Sequence, residues 1–372
     1  MNGTQRNDID RTYQTKRLPI KIFRIYNQFI LTRNQIFSIL IILVVFITVA
    51  IPGPSFGETK RLFRIGTGGP TGVYYPIGKL IAKGLTAHLK EEKTPETGIQ
   101  GIPGYIGVAQ NSAGSIENVQ NIASGEIEAG FVQADVASWA FRGEHAFSGN
   151  NNVRVVRAVA SLYPEYFQIV TRKDANIHSV LDLRGKHISL DEVGSGTLSV
   201  MQIVLKAHGL SEKDLLPVYL KPVFTYDKMV KNELQGFVMM AGAPMEAVTT
   251  LSDIGVSLVP IMPQMASRIS KQFPYLVPGQ IRAGIYSGIP DTPTIQVYAL
   301  FVVSSSMDEN LVYQVTASLW SKRTQTLLKE GHPQGKSINL KTALTGLSIP
   351  LHPGAERFYR EHGMQPKEIH NK

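Results

Sequence analysis

The chain has 372 residues, 43% of them hydrophobic and 18% charged, so it can bury a sizeable core in one large or two medium domains and is not a disordered protein. It contains no cysteine, which excludes disulfides, metal-thiolate sites, a cysteine nucleophile and a lipoprotein anchor. The net charge is +9, but +5 of it precedes residue 35, and no basic run interleaved with aromatic residues predicts nucleic-acid binding.

The first element in chain order is an uncharged apolar stretch at residues 36–51, which follows the basic segment and ends at Pro52-Gly-Pro54. A basic flank, an apolar stretch and a Pro/Gly stop are typical of a membrane-directed segment rather than of a buried helix. As a helix the stretch would be about 24 Å long, shorter than the ~30 Å hydrocarbon core, which favours a signal peptide. Ser55 and Gly57 have signal-peptidase spacing, but the long basic segment also permits an uncleaved anchor. Either way, the positive-inside rule predicts that residue 58 onward lies outside the cytoplasm.

Residues 63–85 read as a short strand, a glycine-dense turn and an amphipathic helix. The glycines between residues 66 and 72 let the backbone approach a ligand closely, and the free N–H groups of the following helix favour an anion. A dinucleotide fingerprint is not matched, because Thr71 stands at its last glycine position. A phosphate-binding loop is absent, because Val73 stands at its first. A tight turn without a ligand is the alternative interpretation.

Strand and helix continue to alternate over residues 105–133, with a polar turn, a helix over 116–124 and a strand over 129–133. Asp135 comes directly before another helical stretch, where it is either a ligand contact or a helix N-cap. A further strand covers residues 153–161. We expect Pro164 to end the ladder there, because proline donates no backbone hydrogen bond, and the chain to pass to a second unit.

The second unit repeats the strand, glycine turn and helix, with its turn at residues 191–197 and its helix reaching about residue 208. Ser195, Gly196 and Thr197 stand at the start of this helix, so both turns could present a helix N-terminus to one anionic ligand. A purely structural N-cap role for Ser195 or Thr197 is the alternative. A serine-hydrolase elbow is excluded, because Val193 and Thr197 occupy its two glycine positions.

The remaining segments are expected to complete a second sheet and then return to the first unit. Strands are predicted at 217–220, 236–240, 256–261 and 294–304, and helices at 309–329 and 355–362. The histidines are scattered without metal-ligand spacing, and no pair of carboxylates stands out as an acid and a base. The sequence therefore predicts no metal, no cofactor and no catalytic residues.

Seven segments, taken in order, resemble the TAXI-type solute receptors of tripartite ATP-independent periplasmic (TRAP) transporters. The resemblance covers nearly all of residues 61–364, and its segments are 65–76, 114–118, 131–136, 160–165, 194–197, 241–244 and 349–356.

The resemblance implies an α/β, two-lobed periplasmic-binding-protein fold of type II, preceded by an N-terminal signal or membrane-anchor helix. The implied division is residues 1–57 for that segment, 58–162 for the first part of lobe I, 163–295 for lobe II, and 296–372 for the return to lobe I. A periplasmic receptor of this type, free or anchored to the inner membrane through residues 36–51, captures a small organic anion or amino acid such as glutamate, glutamine or a related C4 or C5 acid. It delivers the ligand to a TRAP permease with fused small and large subunits.

Carried over by position, the resemblance implies ligand contacts from both lobes. No arginine in the matching segments stands out as a carboxylate clamp, so backbone N–H groups and hydroxyls are expected to hold the ligand. Ala113, where the family often has glycine, and the long N-terminal segment are departures that bear on ligand identity and on release from the membrane. The expected ligand-binding residues are Thr67, Gly68, Tyr74, Tyr75, Ser115, Asn118, Gln133, Asp135, Ser195, Gly196 and Thr197.

Two other functions are compatible with the sequence. The same module could serve as a membrane-tethered sensor, or the chain could be an exported enzyme acting on an anionic substrate. A sensor shares the binding domain of a receptor, whereas an enzyme would need a nucleophile–base pair or a metal cluster, which the sequence does not offer.

Overall fold

The computed structural model of the chain describes residues 60–87 and 101–366, together with the isolated positions 33, 37, 38, 40 and 369. The predicted signal or anchor segment, residues 1–57 with the apolar stretch 36–51, lies outside the described residues apart from four helical positions. Among the residues that are described, no helix is both long and apolar enough to span a membrane. Thr59–Lys372 is one compact unit.

Strands and helices alternate along this unit, as the sequence pattern predicts. The strands are β1 (Arg61–Gly66), β2 (Tyr105–Gln110), β3 (Ala129–Gln133), β4 (Val156–Arg172), β5 (His187–Ser189), β6 (Leu216–Val218), β7 (Gly236–Ala241), β8 (Val256–Leu258), β9 (Val277–Ile281) and β10 (Thr292–Ser304). The helices are α1 (Tyr74–Leu85), α2 (Ser115–Ser124), α3 (Ala134–Arg142), α4 (Gly196–Ala207), α5 (Tyr226–Val230), α6 (Glu246–Thr249), α7 (Pro263–Gln272), α8 (Glu309–Trp320), α9 (Lys322–Gly331) and α10 (Pro353–Glu361).

The strands form one mixed sheet in the order β2-β1-β3-β10-β4-β7-β5-β6, with β8 added to β4 and β9 added to β10. Strands β1, β2 and β3 are parallel to one another, and so are β5, β6 and β7. Between these two groups, β10 and β4 pair antiparallel with each other and with their outer neighbours β3 and β7. The pairings β3–β10, β10–β4 and β4–β7 are three successive antiparallel pairings. The strands of the β1–β3 group therefore run in the opposite direction to those of the β5–β7 group.

The sheet is covered by hydrophobic cores on both faces, and each core extends through both parallel groups. One core joins Ile77 and Ile81 of α1 to Phe301 and to Phe237 in β7. The other packs α2, α3, α4 and α7 against the opposite face and includes Leu300 of β10. The α/β fold class predicted from the sequence is confirmed, and the alternation of Leu300 and Phe301 to opposite cores is the period-2 pattern of a central strand.

The prediction that Pro164 ends a strand is wrong. Strand β4 continues through it, and Pro164 stands opposite Tyr298 of β10. The pairing of β4 with β7 begins only at Tyr166, so the missing N–H of Pro164 falls where that edge of β4 has no neighbouring strand. Because β4 therefore joins both groups of strands, the expected second, separate sheet is also wrong.

The single helix predicted over residues 309–329 is two helices. Ser321 takes an extended conformation between α8 and α9, and its hydroxyl accepts a hydrogen bond from the N–H of Thr324 at 3.3 Å. Serine is a favourable N-cap, which starts the second helix in a new direction.

Candidate functional site

The carboxyl ends of the two groups of strands meet at the middle of the sheet. Gln133, the last residue of β3, lies opposite Ala299, which also pairs with Tyr163 of β4. Ala241, the last residue of β7, pairs with Tyr166 of the same strand. The loops that follow parallel strands leave at the carboxyl edge, where ligands bind in open α/β sheets. Because the β1–β3 group and the β5–β7 group run in opposite directions, the loops at their carboxyl ends lie close together.

Among the described residues, a cavity lies at this meeting point and has walls from both groups of strands. From the β1–β3 side its walls are Gly68, Gly69, Gly72, Val73, Tyr74, Ala113, Gly114, Ser115 and Gln133. From the other side they are Glu165, Asp191, Ser195, Gly196, Thr197, Lys221, Pro222, Met239, Met240 and Ala241. Its volume is about 30 Å³, room for about two water molecules at the usual 10–15 Å³ each.

Three helices of ten or more residues begin at this cavity. They are α1, α2 and α4, and their first residues Tyr74, Ser115 and Gly196 all belong to its walls. The first N–H groups of a helix have no partner within the helix, and the helix dipole places partial positive charge there. The starts of α1 and α4, which were expected to approach one ligand, both lie at this cavity, and the start of α2 is a third.

The loops from opposite sides are in contact. The N–H of Glu117 in α2 donates to the carbonyl of Gly194 at 3.3 Å, and the N–H of Ala247 in α6 donates to the carbonyl of Thr71 at 3.2 Å. A Cβ built on Gly114 would lie 3.7 Å from the Cα of Ser195. This is a closed arrangement, in which main-chain groups of the two sides already bond to each other.

Seven of the expected ligand-binding residues line the cavity. Ser195 also caps α4, because its Oγ accepts from the N–H of Leu198 at 3.1 Å. Thr197 Oγ1 accepts from the N–H of Met240 at 3.2 Å, and Ser115 Oγ from the N–H of Gln133 at 3.1 Å. The seven are Gly68, Tyr74, Ser115, Gln133, Ser195, Gly196 and Thr197.

Thr67 and Asn118, two other expected contacts, are fully buried behind the wall. The Thr67 hydroxyl donates to the carbonyl of Gln110 at 2.6 Å. The amide of Asn118 donates to the carbonyls of Thr67 and Phe131 at 2.7 and 2.8 Å, and its Oδ1 accepts from the hydroxyl of Ser112 at 2.7 Å. These bonds tie the turn after β1 to α2 and β3, so in this closed arrangement the two side chains position the wall.

Tyr75 and Asp135 also lie outside the cavity walls. The Tyr75 ring packs under the ammonium of Lys79, 4.8 Å from the ring centre. Asp135 is in the first turn of α3, whose N-cap is Gln133, so the alternative interpretation of Asp135 as the N-cap is wrong. Asp135 is 1% exposed, and neither carboxylate oxygen has a full hydrogen bond among the described residues, although the backbone N–H groups of Asp135 and Val136 lie near them.

Three charged residues of the wall were not among the expected contacts. Glu165 lies on β4 between the two groups of strands, Asp191 comes two residues after β5, and Lys221 follows β6. Lys221 Nζ forms an ion pair with Glu192 Oε1 at 2.9 Å. The sequence signal for Glu165 was its position as an acidic residue between Tyr163 and Tyr166 in a strand. Asp191 shows a positive φ of 68°, unusual outside glycine and frequent at functional sites.

The carboxyl groups of the cavity wall and that of Asp135 beside it are shifted towards their neutral forms. Burial raises the pKa of Glu165 well above its usual range, against the opposing effect of the Tyr74 hydroxyl, which donates to its Oε2 at 2.7 Å. Burial raises the pKa of Asp135 to about 7. Burial also raises the pKa of Asp191 to about 6, although nearby N–H and hydroxyl donors lower it. Removing a charged group from water disfavours its ionised form when no cation compensates.

Comparison with known proteins gives a family and a set of distant structural relatives. A model of the NMT1-like family matches residues 65–363. Among solved structures, the chain is similar to the periplasmic aliphatic sulphonate-binding protein SsuA from Escherichia coli, with 14% identity, 81% of this chain and 83% of that chain covered and a TM-score of 0.42. It is also similar to a Salmonella typhimurium periplasmic binding protein of high arginine specificity, with 13% identity, 73% and 99% coverage and a TM-score of 0.41. Similarity at this level does not extend to the ligand.

Proposed function

The chain belongs to the NMT1-like family, and on that premise we propose that it is an extracytoplasmic solute-binding receptor. It captures a small organic anion, either glutamate, glutamine or a related C4 or C5 acid, and delivers it to a TRAP-type secondary permease. One lobe is formed by residues 58–162 with 296–372, and the other by residues 163–295.

The convergence of three helix N-termini on one cavity with walls from both parallel groups carries this proposal. Each N-terminus favours negative charge, and Ser115, Ser195 and Thr197 add hydroxyl groups at the same place. In this closed arrangement the hydroxyls of Ser195 and Thr197 are near the Asp191 carboxyl, and Thr197 Oγ1 contacts Met239 Sδ at 3.6 Å, so these two protons turn to a ligand carboxylate only when one enters, beside the free N–H groups of the helix starts. A carboxylate between α2 and α4 would therefore meet donors from both sides, which links ligand binding to closure.

Binding requires the two sides to separate first. A cavity of about 30 Å³ does not admit a five-carbon acid. Strands β4 and β10 join the two sides, and we propose that the bending points lie near Pro164 and residue 295, beside the register irregularity between Ala299 and Leu300. The contacts from Glu117 to Gly194 and from Ala247 to Thr71 would open in the free protein and form again around the ligand.

Binding rather than catalysis also fits the hydroxyl groups of the cavity. Ser195 and Thr197 both accept bonds from backbone N–H groups, and no histidine lines the described walls to activate either as a nucleophile. The proposal accordingly has no chemical step.

A thermal-shift screen against C4 and C5 carboxylic and amino acids, followed by small-angle scattering with the best binder, tests the proposal. A receptor that closes on its ligand is expected to gain melting temperature and to lose radius of gyration on saturation. Stabilisation at an unchanged radius of gyration would argue for a rigid binding site and against the closing mechanism. The absence of any stabilising acid would remove the proposed ligand class.

A further inference from the structure

Asp191 is the acidic wall residue that precedes the start of α4. It is 4% exposed, lines the cavity and comes shortly before Ser195 in the chain. Its Oδ1 accepts from the N–H of Glu192 at 2.9 Å, and the hydroxyls of Ser195 and Thr197 are further donors near the same carboxyl group. In the closed arrangement, Asp191 therefore occupies hydroxyl donors of this helix start.

The start of α4 is also one of the places proposed for the ligand carboxylate. The helix has 12 residues and no acidic residue in its first turn. Its first N–H groups have no partner within the helix, and its dipole favours negative charge at this end. Ser195, Gly196 and Thr197 line the same cavity as Asp191. Asp191 thus brings to this place the kind of charge that the ligand would bring.

The backbone at Asp191 adopts a left-handed conformation, with a φ of 68°. This conformation costs free energy in residues other than glycine, and it is least unfavourable for asparagine and aspartate. Residues strained in this way cluster at functional sites. Because asparagine tolerates the same backbone conformation, the negative charge of Asp191 can be removed on its own.

No cation of the described cavity walls neutralises Asp191. Lys221 is the basic wall residue, and its Nζ pairs with Glu192 Oε1 at 2.9 Å. Burial raises the pKa of Asp191 to about 6, against the lowering effect of the donors around it, so the group is still ionised at neutral pH. A ligand carboxylate that enters beside it meets a like charge in a site removed from water, where repulsion is stronger than in solution.

We infer that Asp191 is a specificity-determining residue: its carboxylate takes the place of a ligand carboxylate at the start of α4, and an acid binds only when its other contacts compensate. This rests on the proposed receptor function and adds to it a residue that rejects small anions. Acetate gains the contacts of one carboxylate and no more, whereas a C4 or C5 acid also gains those of the rest of the molecule. An unfavourable contact with wrong ligands is one of the two ways to obtain specificity.

The role of Asp191 has a proton signature. A carboxylate beside Asp191 favours the neutral form of Asp191. Binding is therefore expected to take up protons above about pH 6, and affinity for an acid is expected to rise as the pH falls from about 8 to about 5.5. The titratable and charged groups around Asp191 are Glu192 beside it, Lys221 from the loop after β6, and from the opposite side Tyr74 of α1, Glu117 of α2 and Glu165 of β4.

Calorimetric titration of the full chain and of Asp191→Asn with glutarate, L-glutamate and acetate tests the inference. At about pH 7.5 the variant is expected to bind at least one of the two larger acids at least tenfold more tightly than the unsubstituted chain, because a like charge has been removed. It is also expected to gain measurable affinity for acetate and to lose the rise in affinity towards acidic pH. Proton uptake by the unsubstituted chain, measured in buffers of different ionisation enthalpy, is a second test that needs no variant.

Asp227→Asn is the matched control. Asp227 is exposed on α5 outside the described cavity walls, so this variant changes the net charge equally and is expected to bind as the unsubstituted chain does. An equal gain in Asp227→Asn, weaker or unchanged binding in Asp191→Asn, or binding by the unsubstituted chain without proton uptake would each overturn the role of Asp191 and leave the receptor function standing. If neither the unsubstituted chain nor Asp191→Asn binds any of the three acids, both proposals fall.

Discussion

Replacement of Ser195 by alanine is expected to weaken both folding and ligand binding, because its side chain has two roles. Its Oγ caps α4 by accepting from Leu198 N at 3.1 Å, and Ser195 also lines the cavity in which we propose the ligand carboxylate. Loss of a serine N-cap costs about 1 kcal/mol of unfolding free energy, which for a domain of this size lowers the melting temperature by roughly 2 °C. Loss of a hydrogen bond to a charged ligand costs about 1.5–3 kcal/mol, or roughly ten- to a hundredfold in Kd.

Two further variants separate these effects. Glycine is a much better N-cap than alanine, so Ser195→Gly is expected to lose the same affinity with only a few tenths of a kcal/mol of stability. Ser321 caps α9 through Thr324 N at 3.3 Å and is not part of the cavity wall, so Ser321→Ala is expected to lose stability alone. The assay is calorimetric titration with the best acid of the screen, run beside melting curves. Unchanged affinity with a lowered melting temperature in Ser195→Ala would make this serine a structural cap and refute the shared anion site.

Three other predictions follow from the same structure. The pKa of Asp135 is raised to about 7 by burial, so its contribution to stability is complete below about pH 4 and is lost as pH rises through 7. Asp135→Asn is therefore expected to gain up to about 4 kcal/mol of unfolding free energy relative to the unsubstituted chain as the pH rises from 4 to 8, and parallel denaturation curves showing no pH-dependent difference would contradict this. A Cβ at Gly196 would lie 2.6 Å from Gln133 Oε1, so Gly196→Ala is expected to displace the Gln133 side chain. The variant is expected to bind the ligand more weakly with little loss of stability. A titration showing unchanged affinity would count against a role for this contact. A reporter active only outside the cytoplasm, fused after residue 372, is expected to be active because of the basic segment before residues 36–51, whereas activity of a cytoplasm-only reporter would refute export.

Features that depend on neighbouring residues could be predicted from the sequence. The turn at 66–72 and the helix after it form as predicted, and α4 begins one residue after Ser195, which caps it. Turn chemistry and N-caps act over three or four residues, so their spacing is visible in the chain. The same local spacing predicted helices that begin close to Ser115 and Gly196, and both helices start at the cavity.

Features that depend on pairing between distant strands could not be predicted in this way. Pro164 was expected to end a strand because proline lacks the backbone N–H that a strand donates to its neighbour, a property that is visible in the sequence. The missing N–H of Pro164 removes no hydrogen bond to β7, because β7 pairs with β4 only from Tyr166 onward. Likewise, Asn118 carries a typical ligand-binding side chain, yet its amide is used by the carbonyls of Thr67 and Phe131, 51 and 13 residues away.

The sequence by itself determined the α/β alternation, the glycine-rich turns and the helix starts that supply hydroxyl and N–H donors. The tertiary structure alone decided which acidic side chains face those donors. Glu165 lines the cavity because the two parallel groups of strands, which run in opposite senses, bring their carboxyl ends together at that point of β4. Sheet direction is set by hydrogen bonds between strands that are far apart in the chain, and no local spacing encodes them.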